Sequence, residues 1–463
     1  MAILGLVSTE TYDTDRFKNI RRSVQYFYPN GAAPLTGILS LMDEETTNDP
    51  QYSHWEKRLA NQRAVTVANG AYGGSGAGPF TTTVPGDLTA SFTWTVNTSY
   101  RVYVDDSTVF RIGHVVKIVS TIGGIDKDLK GIVESTNTTG TDYIVVRSIE
   151  TVASVVNTVA DITDEVLVIG SAFAEGIVDI STEVYNAPVE VYNYTQIFRT
   201  PFSMTGTNVK VPVRYDVSGA YKDKAKEHSI QHMIEMEKAF LFGKRHKYVP
   251  SGSASPTTGA GLPIRTTGGI LWYLQQYEAQ YSVYRGGDGS TTGPAAVTAD
   301  TDDEKRIIEN TAGTITEKQY DTYLERVFRV TNNTSNEKLV LCGSGFLQTM
   351  NQLYRGKTNL TADLPLKDTY GMNVVKHTCP FGTVYYKTHP LFSQNPTLRY
   401  CALFLDVRNM KYRPMEGRDT ELLKMRQQND ADYRKDEYLT ESGFEMWFPE
   451  ANMFLKNVQD WTL

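Results

Sequence analysis

The chain has 463 residues, about three times the commonest domain length, so two or three structural units are expected. Its 53 acidic and 46 basic side chains leave a net charge of −7, which argues against a dedicated nucleic-acid binder with a clustered basic surface. Charged residues make up only 21% and aromatics reach 11%, so the chain has ample apolar surface to bury and long disorder is not expected. Three cysteines, Cys342, Cys379 and Cys401, cannot build a disulfide framework and show no CxxC spacing, which points to a reducing, intracellular site of folding. Residues 2–7 are briefly apolar but lack a basic flank or cleavage site, and no stretch approaches the roughly 20 apolar residues of a membrane span. A soluble, unsecreted chain is expected.

In chain order, residues 31–43 suggest a short amphipathic turn of helix. Residues 50–65 place Trp55, Leu59 and Gln62 at helical spacing, which predicts a helix. The stretch 69–87 is rich in Gly, Ser, Thr and Pro and reads as a loop. From Leu88 to about Gly170 the composition turns to Val, Ile and Thr, with alternation in 92–96 and 100–104 and turn residues at short intervals. That pattern predicts a small inserted all-β barrel or sandwich with a bulge or corner at Gly113, separable from the rest. Residues 202–215 read as extended around a turn at Gly206. The strongest helix follows at 219–246, uninterrupted by proline, with Asp216 and Ser218 as cap candidates. Its expected buried stripes are Ala225, Ser229, Met233, Met236 and Phe240, and Ile230, Ile234 and Leu241. Beyond a loop at 249–269 come a helix at 268–282, a polar loop at 286–300 and an α/β half. That half has a helix at 317–329, strand 338–342, helix 345–354, and strands 372–377, 382–389 and 400–406, with a C-terminal sheet over 436–462.

The search for chemistry finds little. The glycine-rich run 70–78 lacks the Gly-Lys-Ser/Thr ending of a phosphate loop. His228 and His232 lie four apart with Glu235 and Glu237 behind them, a spacing that can hold a metal. However, Ser229 stands where a metalloprotease needs Glu, so two histidines on the polar side of a helix are the plainer reading. Ser344 misses the nucleophile elbow by one position, and a strand-to-helix turn with Gly343 and Gly345 explains it better. Cys342 reads as a small buried residue at a strand end. The locally basic run 408–418 is followed at once by Asp419 and Glu421, so a solvated face or a partner contact is expected there. No catalytic, cofactor-binding or metal-binding residues are assigned, and no enzyme emerges.

Four segments, taken in order, resemble the major capsid proteins of tailed bacteriophages with the Hong Kong 97-type fold. Residues 193–207 (NYTQIFRTPFSMTGT) are similar to the stretch before the spine helix, and 235–245 (EMEKAFLFGKR) to its end. Arg265-Thr-Thr-Gly-Gly-Ile270 resembles the loop that follows, and Thr440-Glu441-Ser442-Gly443-Phe444 the final strand. The resemblance implies an α+β fold with an N-terminal arm, an extended loop, a peripheral domain on a long spine helix and an axial domain, plus the inserted small all-β barrel-like domain. Mapped onto this chain, 1–69 is the arm and the start of the extended-loop region, and 70–170 the glycine-rich loop and β insert. Residues 171–301 become the peripheral domain with spine helix 219–246, 302–410 the axial domain, and 411–463 the return to the peripheral domain.

Functionally it implies self-assembly into hexamers and pentamers of an icosahedral head enclosing double-stranded DNA. The implied partners are other copies of the chain, a separate scaffolding protein or none, a portal and decoration proteins. The implied place is the virion, assembled in the host bacterial cytoplasm. The rival readings are another virion component (tail, baseplate or decoration) and an α/β enzyme with a β accessory domain.

Overall fold

The computed structural model describes residues 44–57, 62–67, 79–82, 91–122, 125–138, 142–157, 164–176, 183–184, 187–211, 220–249, 262–279, 305–329, 336–355 and 375–462. The turn expected at 31–43, the glycine run 70–78 and the loop 286–300 lie outside these residues.

The helix expected over 50–65 is not formed. Its place is taken by strands β1 (Gln51–Glu56) and β2 (Arg63–Val65). In β1, Tyr52 and Glu56 are buried while Gln51, Ser53 and Trp55 face outward, a period of two. Trp55 is 66% exposed, so the spacing that suggested a helix reflected no shared buried face. Backbone pairing along the whole of β1, described below, outweighs local propensity.

The β-branched segment forms β3 (Phe80–Thr82), β4 (Ser91–Trp94), β5 (Ser99–Tyr103), β6 (His114–Ile122), β7 (Ile125–Asn137), β8 (Tyr143–Ser148), β9 (Val152–Val156) and β10 (Glu165–Ser171). With β2 these make a nine-stranded sheet along the path β2-β10-β6-β7-β8-β5-β3, with β9 bridging β4 and β6. The sheet curls until its ends meet: Thr66 bridges Val104, and the Val67 amide donates to Tyr103 O at 3.0 Å. That closure makes it barrel-like and removes a free edge. Gly113 turns the corner before β6 at φ +85°, with the Phe173 ring lying where a Cβ would sit. Inside, Trp94, Val102, Val116, Ile118, Leu129, Ile144, Val146 and Val166 have no exposed surface, and the cluster begins at Ala64, before the glycine run.

The body starts with β11 (Val189–Tyr194), antiparallel to β1, and β12 (Gln196–Thr205), whose even-numbered side chains from Phe198 onward are buried and odd-numbered ones exposed. Where an extended turn was expected around Gly206, the chain makes one short helical piece, α1 (Gly206–Lys210). The long helix α2 (Ala220–Phe242) falls within the expected span. It ends in the β13 (His246–Tyr248) and β14 (Ile264–Thr266) ribbon, followed by α3 (Ile270–Ala279). The face of α2 that is buried carries His232, Met236, Glu237, Phe240 and Leu241, whereas Met233, expected inside, is 48% exposed.

The α/β half contains β15 (Ile307–Glu309), β16 (Thr314–Thr316), α4 (Glu317–Arg329), β17 (Glu337–Cys342), α5 (Ser344–Arg355), β18 (Val375–Cys379), β19 (Gly382–Thr388), α6 (Pro390–Gln394) and β20 (Ala402–Leu405). The C-terminal part adds β21 (Met410–Pro414), β22 (Glu421–Leu423), β23 (Tyr433–Met446), β24 (Met453–Lys456) and β25 (Asp460–Thr462). A six-stranded mixed sheet, β15-β24-β20-β17-β19-β18, is buried on both faces, which explains runs such as Leu339–Cys342 and Ala402–Leu405. Val340, Ala402, Phe404 and Met453 join a core with α4 and α5. The alternate residues Leu339, Leu341, Leu403 and Phe454 join a second core with α2 and α3. A separate sheet, β12-β23-β21 with β22 alongside β23, lies under α2.

Candidate functional site

The four sequence segments that carried the resemblance meet at one buried joint. Asn193 on β11 is 1% exposed, and its amide nitrogen donates to Phe444 O at 2.7 Å and to Gly268 O at 3.0 Å. Its carbonyl oxygen accepts from the Gly268 amide at 2.8 Å and the Tyr194 amide at 2.9 Å. Phe444 O also accepts from the hydroxyls of Tyr52 (2.8 Å) and Tyr273 (3.3 Å). Burial holds both phenols well above their usual range, so they remain donors. A fully satisfied polar network of this kind fixes one arrangement of the segments it joins.

The glycines of these segments serve close approach. A Cβ on Gly443 would overlap the Tyr52 hydroxyl. One on Gly243 would overlap Ala239 O and Thr267 O, and one on Gly269 the carbonyls of Ala239 and Phe240. The Gly269 amide donates to Gly243 O at 2.8 Å, so the end of α2 and the loop before α3 are in backbone contact.

Along β23 the odd-numbered carboxylates Glu437, Glu441 and Glu445 are nearly inaccessible, and each holds a cation. Arg199 grips Glu437 through two contacts of 2.7 and 2.8 Å, Arg418 meets Glu441 at 2.7 Å, and Arg413 meets Glu445 at 3.0 Å. Arg413 and Lys411 also clasp Glu45 and hold its carboxyl below the usual range, Lys411 contributing most. The basic run 408–418, expected to be solvated or to meet a partner, is therefore largely spent on contacts within the chain. On the opposite face of β23, Asp436 accepts from Tyr221 of α2 and pairs with Arg434.

The histidines resolve differently from expectation. His232 is buried rather than on the polar side of α2. One ring nitrogen bonds the Thr200 hydroxyl at 2.9 Å and the other the Thr440 hydroxyl at 2.7 Å, so both coordination positions are occupied. His228 is partly buried against the Phe202 ring and contacts Gln231 at 3.1 Å. No group of three metal-ligating side chains exists among the described residues. Ser344 begins α5 as expected, but Gly343 is small because Arg399 backbone lies against it, not because of its φ. Cys342 is buried, and burial pushes its thiol up to about 12, which suits a core residue.

Sequence reading missed three buried polar pairs. Glu237 of α2 meets His389, at the start of α6, at 2.8 Å with both side chains at most 1% exposed. The Leu391 amide donates to Nδ1 of His389, so Nε2 carries the proton and donates to Glu237. Lys338 meets Asp406 at 2.8 Å and donates to Ala451 O at 3.2 Å. Burial lowers the Lys338 pKa, and Asp406 opposes that shift. The third is the Glu445–Arg413 pair noted above. The available signal was a charge inside an apolar strand, as in Glu337–Cys342 and Thr440–Met446.

The Asn193, Glu237 and Lys338 contacts tie together segments far apart in sequence, and what they define is a structural body. A model of one family of viral shell proteins matches residues 11–459, almost the whole chain. The chain belongs to that family, the SU10 major capsid protein family. Its architecture is α+β, with the nine-stranded barrel-like sheet drawn from residues 63–171.

A major capsid protein of Pseudomonas phage PaMx41 is 27% identical over 260 residues, 56% of this chain and 54% of that one; the chain thus spans about half the length of the curated relative it matches. Among solved structures, the capsid of cyanophage A-1(L) is similar over 62% of this chain and 85% of that chain, at 12% identity and a TM-score of 0.41. A chain from Mycobacterium phage Bobi is similar over 98% and 96%, at 6% identity and a TM-score of 0.39. These likenesses are loose, and the assignment stands on the family match.

Proposed function

We propose that the chain is a major capsid protein that self-assembles into hexamers and pentamers of an icosahedral phage head enclosing double-stranded DNA. The observation that carries this reading is family membership over residues 11–459. The buried joint at Asn193 and the clasped strand β23 support it, because a shell subunit must transmit load between neighbours through a body with one arrangement. In this reading the domain map is that of the resemblance with the barrel reaching back to Arg63, and the barrel is an accessory module on the extended loop, at the outer surface of the shell. Its core is separate from those of the body, which suits a module whose loss weakens particles without unfolding the remainder.

Partners are then other copies of the chain, a separately encoded scaffold, a portal and decoration proteins, with packaged DNA nearby but not bound by sequence. The mild acidity of the chain suits a DNA container, since a basic lining would hold phosphates and hinder their movement. The place of action is the virion, after assembly in the host cytoplasm. Expression alone and with the phage's scaffold, followed by negative-stain microscopy and light scattering, should reveal shells, hexamers or tubes. A compact monomer under all salt and scaffold conditions overturns the reading.

A further inference from the structure

Charge is distributed unevenly along this chain. Residues 88–190 contain 14 acidic and six basic side chains, an excess of eight, while the whole chain carries −7; the remainder is close to neutral. The imbalance is sharpest in 171–190, which holds Glu175, Asp179, Glu183 and Glu190 and no Lys, Arg or His. Glu175, Glu183 and Glu190 are exposed and make no ion pair among the described residues.

The opposite pattern occurs where α2 ends. Lys238, Lys244 and Lys247 are exposed, Arg265 is partly so, and none of them makes an ion pair among the described residues. The β13–β14 ribbon carries Lys247 and Arg265, and Tyr248 (50% exposed) on it and Leu262 (64%) just before β14 face solvent. These cations, beside an exposed Tyr and an exposed Leu, leave a basic surface to which an acidic segment is electrostatically complementary. The ribbon is held in place from below. The Arg245 guanidinium stacks on Tyr192 (3.7 Å) and Trp272 (4.6 Å) and donates to Tyr192 O at 2.7 Å, so little ordering is left to be lost on binding.

We propose that the β13–β14 ribbon receives the acidic stretch 171–190 of a second copy of this chain. The proposal rests on the shell-forming reading and names a contact by which one subunit recognises the next. Charge complementarity selects the occupant, and no ion pair joins the two sets within one chain among the described residues. The contact joins two different surfaces, ribbon to acidic stretch, and so can repeat head-to-tail from one copy to the next around a ring.

The test uses the full chain and two charge-reversed variants, Lys244→Glu/Lys247→Glu in the ribbon and Glu175→Lys/Glu183→Lys in the acidic stretch. All four positions are exposed, and unchanged thermal melts verify folding. Each variant alone should lose assembly, with a critical concentration raised about tenfold or more. The chain carrying all four reversals should recover it. Equimolar co-expression of the two single-set variants should also recover it, in rings of even number, because every ribbon then finds an opposite charge on its neighbour. Assembly of either variant at the wild-type level overturns the proposal while leaving the shell reading intact. Recovery in the four-fold reversed chain but not in the mixture places the contact within a chain and also overturns it, as does recovery in neither. A wild-type chain that forms no shells or rings refutes the reading beneath it instead.

Discussion

Replacing Phe240 with Ala tests the packing of the long helix most directly. The side chain is fully buried, with ring contacts to Phe198 at 6.2 Å, Tyr412 at 6.1 Å and Phe444 at 6.0 Å, so it joins α2 to both β12 and β23. Truncating a buried aromatic costs about 3–5 kcal/mol. Edge-to-face ring pairs add about 0.5–1.5 kcal/mol each beyond burial, so the upper half of that range, about 4–5 kcal/mol, is expected. For a cooperative unit of 150–250 residues each kcal/mol lowers Tm by about 2–4 °C, so a drop of roughly 8–20 °C should appear. Circular dichroism melts of unassembled subunits measure it, with Met233→Ala as the control. Met233 is 48% exposed and should cost less than about 1 kcal/mol. If the two variants melt within about 3 °C of each other, the assignment of the buried face is wrong.

Lys338→Met alone should destabilise the six-stranded sheet by about 3–5 kcal/mol, because Asp406 stays buried without its cation. Adding Asp406→Leu should restore most of the loss in urea unfolding. Asn193→Ala should cost about 2–4 kcal/mol by leaving the Gly268 amide without its acceptor, and a melt matching wild type refutes the joint. Burial depresses the pKa of His232 below the ordinary value of about 6.5. Below pH 6.5 the unfolded chain therefore binds a proton that the folded one refuses, and stability falls as pH falls until the folded pKa is reached. Unfolding at pH 7.5 and 5.5 should show this loss, at most about 1.4 kcal/mol per pH unit from this group. The loss should be smaller in His232→Gln; equal pH slopes in the two proteins exclude the role.

Elements governed by local periodicity were readable from sequence. The helix at Glu317–Arg329 was expected at those same bounds, and the strands around 100, 115, 143, 340 and 403 follow from β-branched or continuously apolar runs. The long helix was located, but its buried face was misjudged at Met233 and His232. The sheet beneath it offers Thr200 and Thr440 as partners, and a polar side chain with two partners buries as readily as an apolar one. The strand Gln51–Glu56 has helical spacing in the sequence, and its partner, Val189–Tyr194, which makes it a strand, lies more than 130 residues away. The Asn193 joint was invisible for the same reason: the residues that satisfy it come from four separate stretches, and only the resemblance of those stretches to one family hinted that they belong together.

The pairing of β12 with β23 has a consequence for how the chain comes to its fold. Thr195 meets Glu441 across 246 residues of sequence, and β12, β15 and β16 all wait on strands that begin at or beyond Tyr433. At a synthesis rate of about 5–20 residues per second, β12 emerges roughly 12–50 s before β23 does. The barrel, by contrast, draws all its strands from residues 63–171 and can close while the body is still incomplete. During that interval β12 offers an unpaired edge with Ile197 and Phe198 beside it, in a cell that is making many identical chains at once. Its mid-strand Pro201 withholds one backbone donor from any premature partner, while β23 still pairs with the strand through its whole length. An early-closing barrel and a proline-marked edge leave the emerging chain fewer open backbone donors until the last strand arrives.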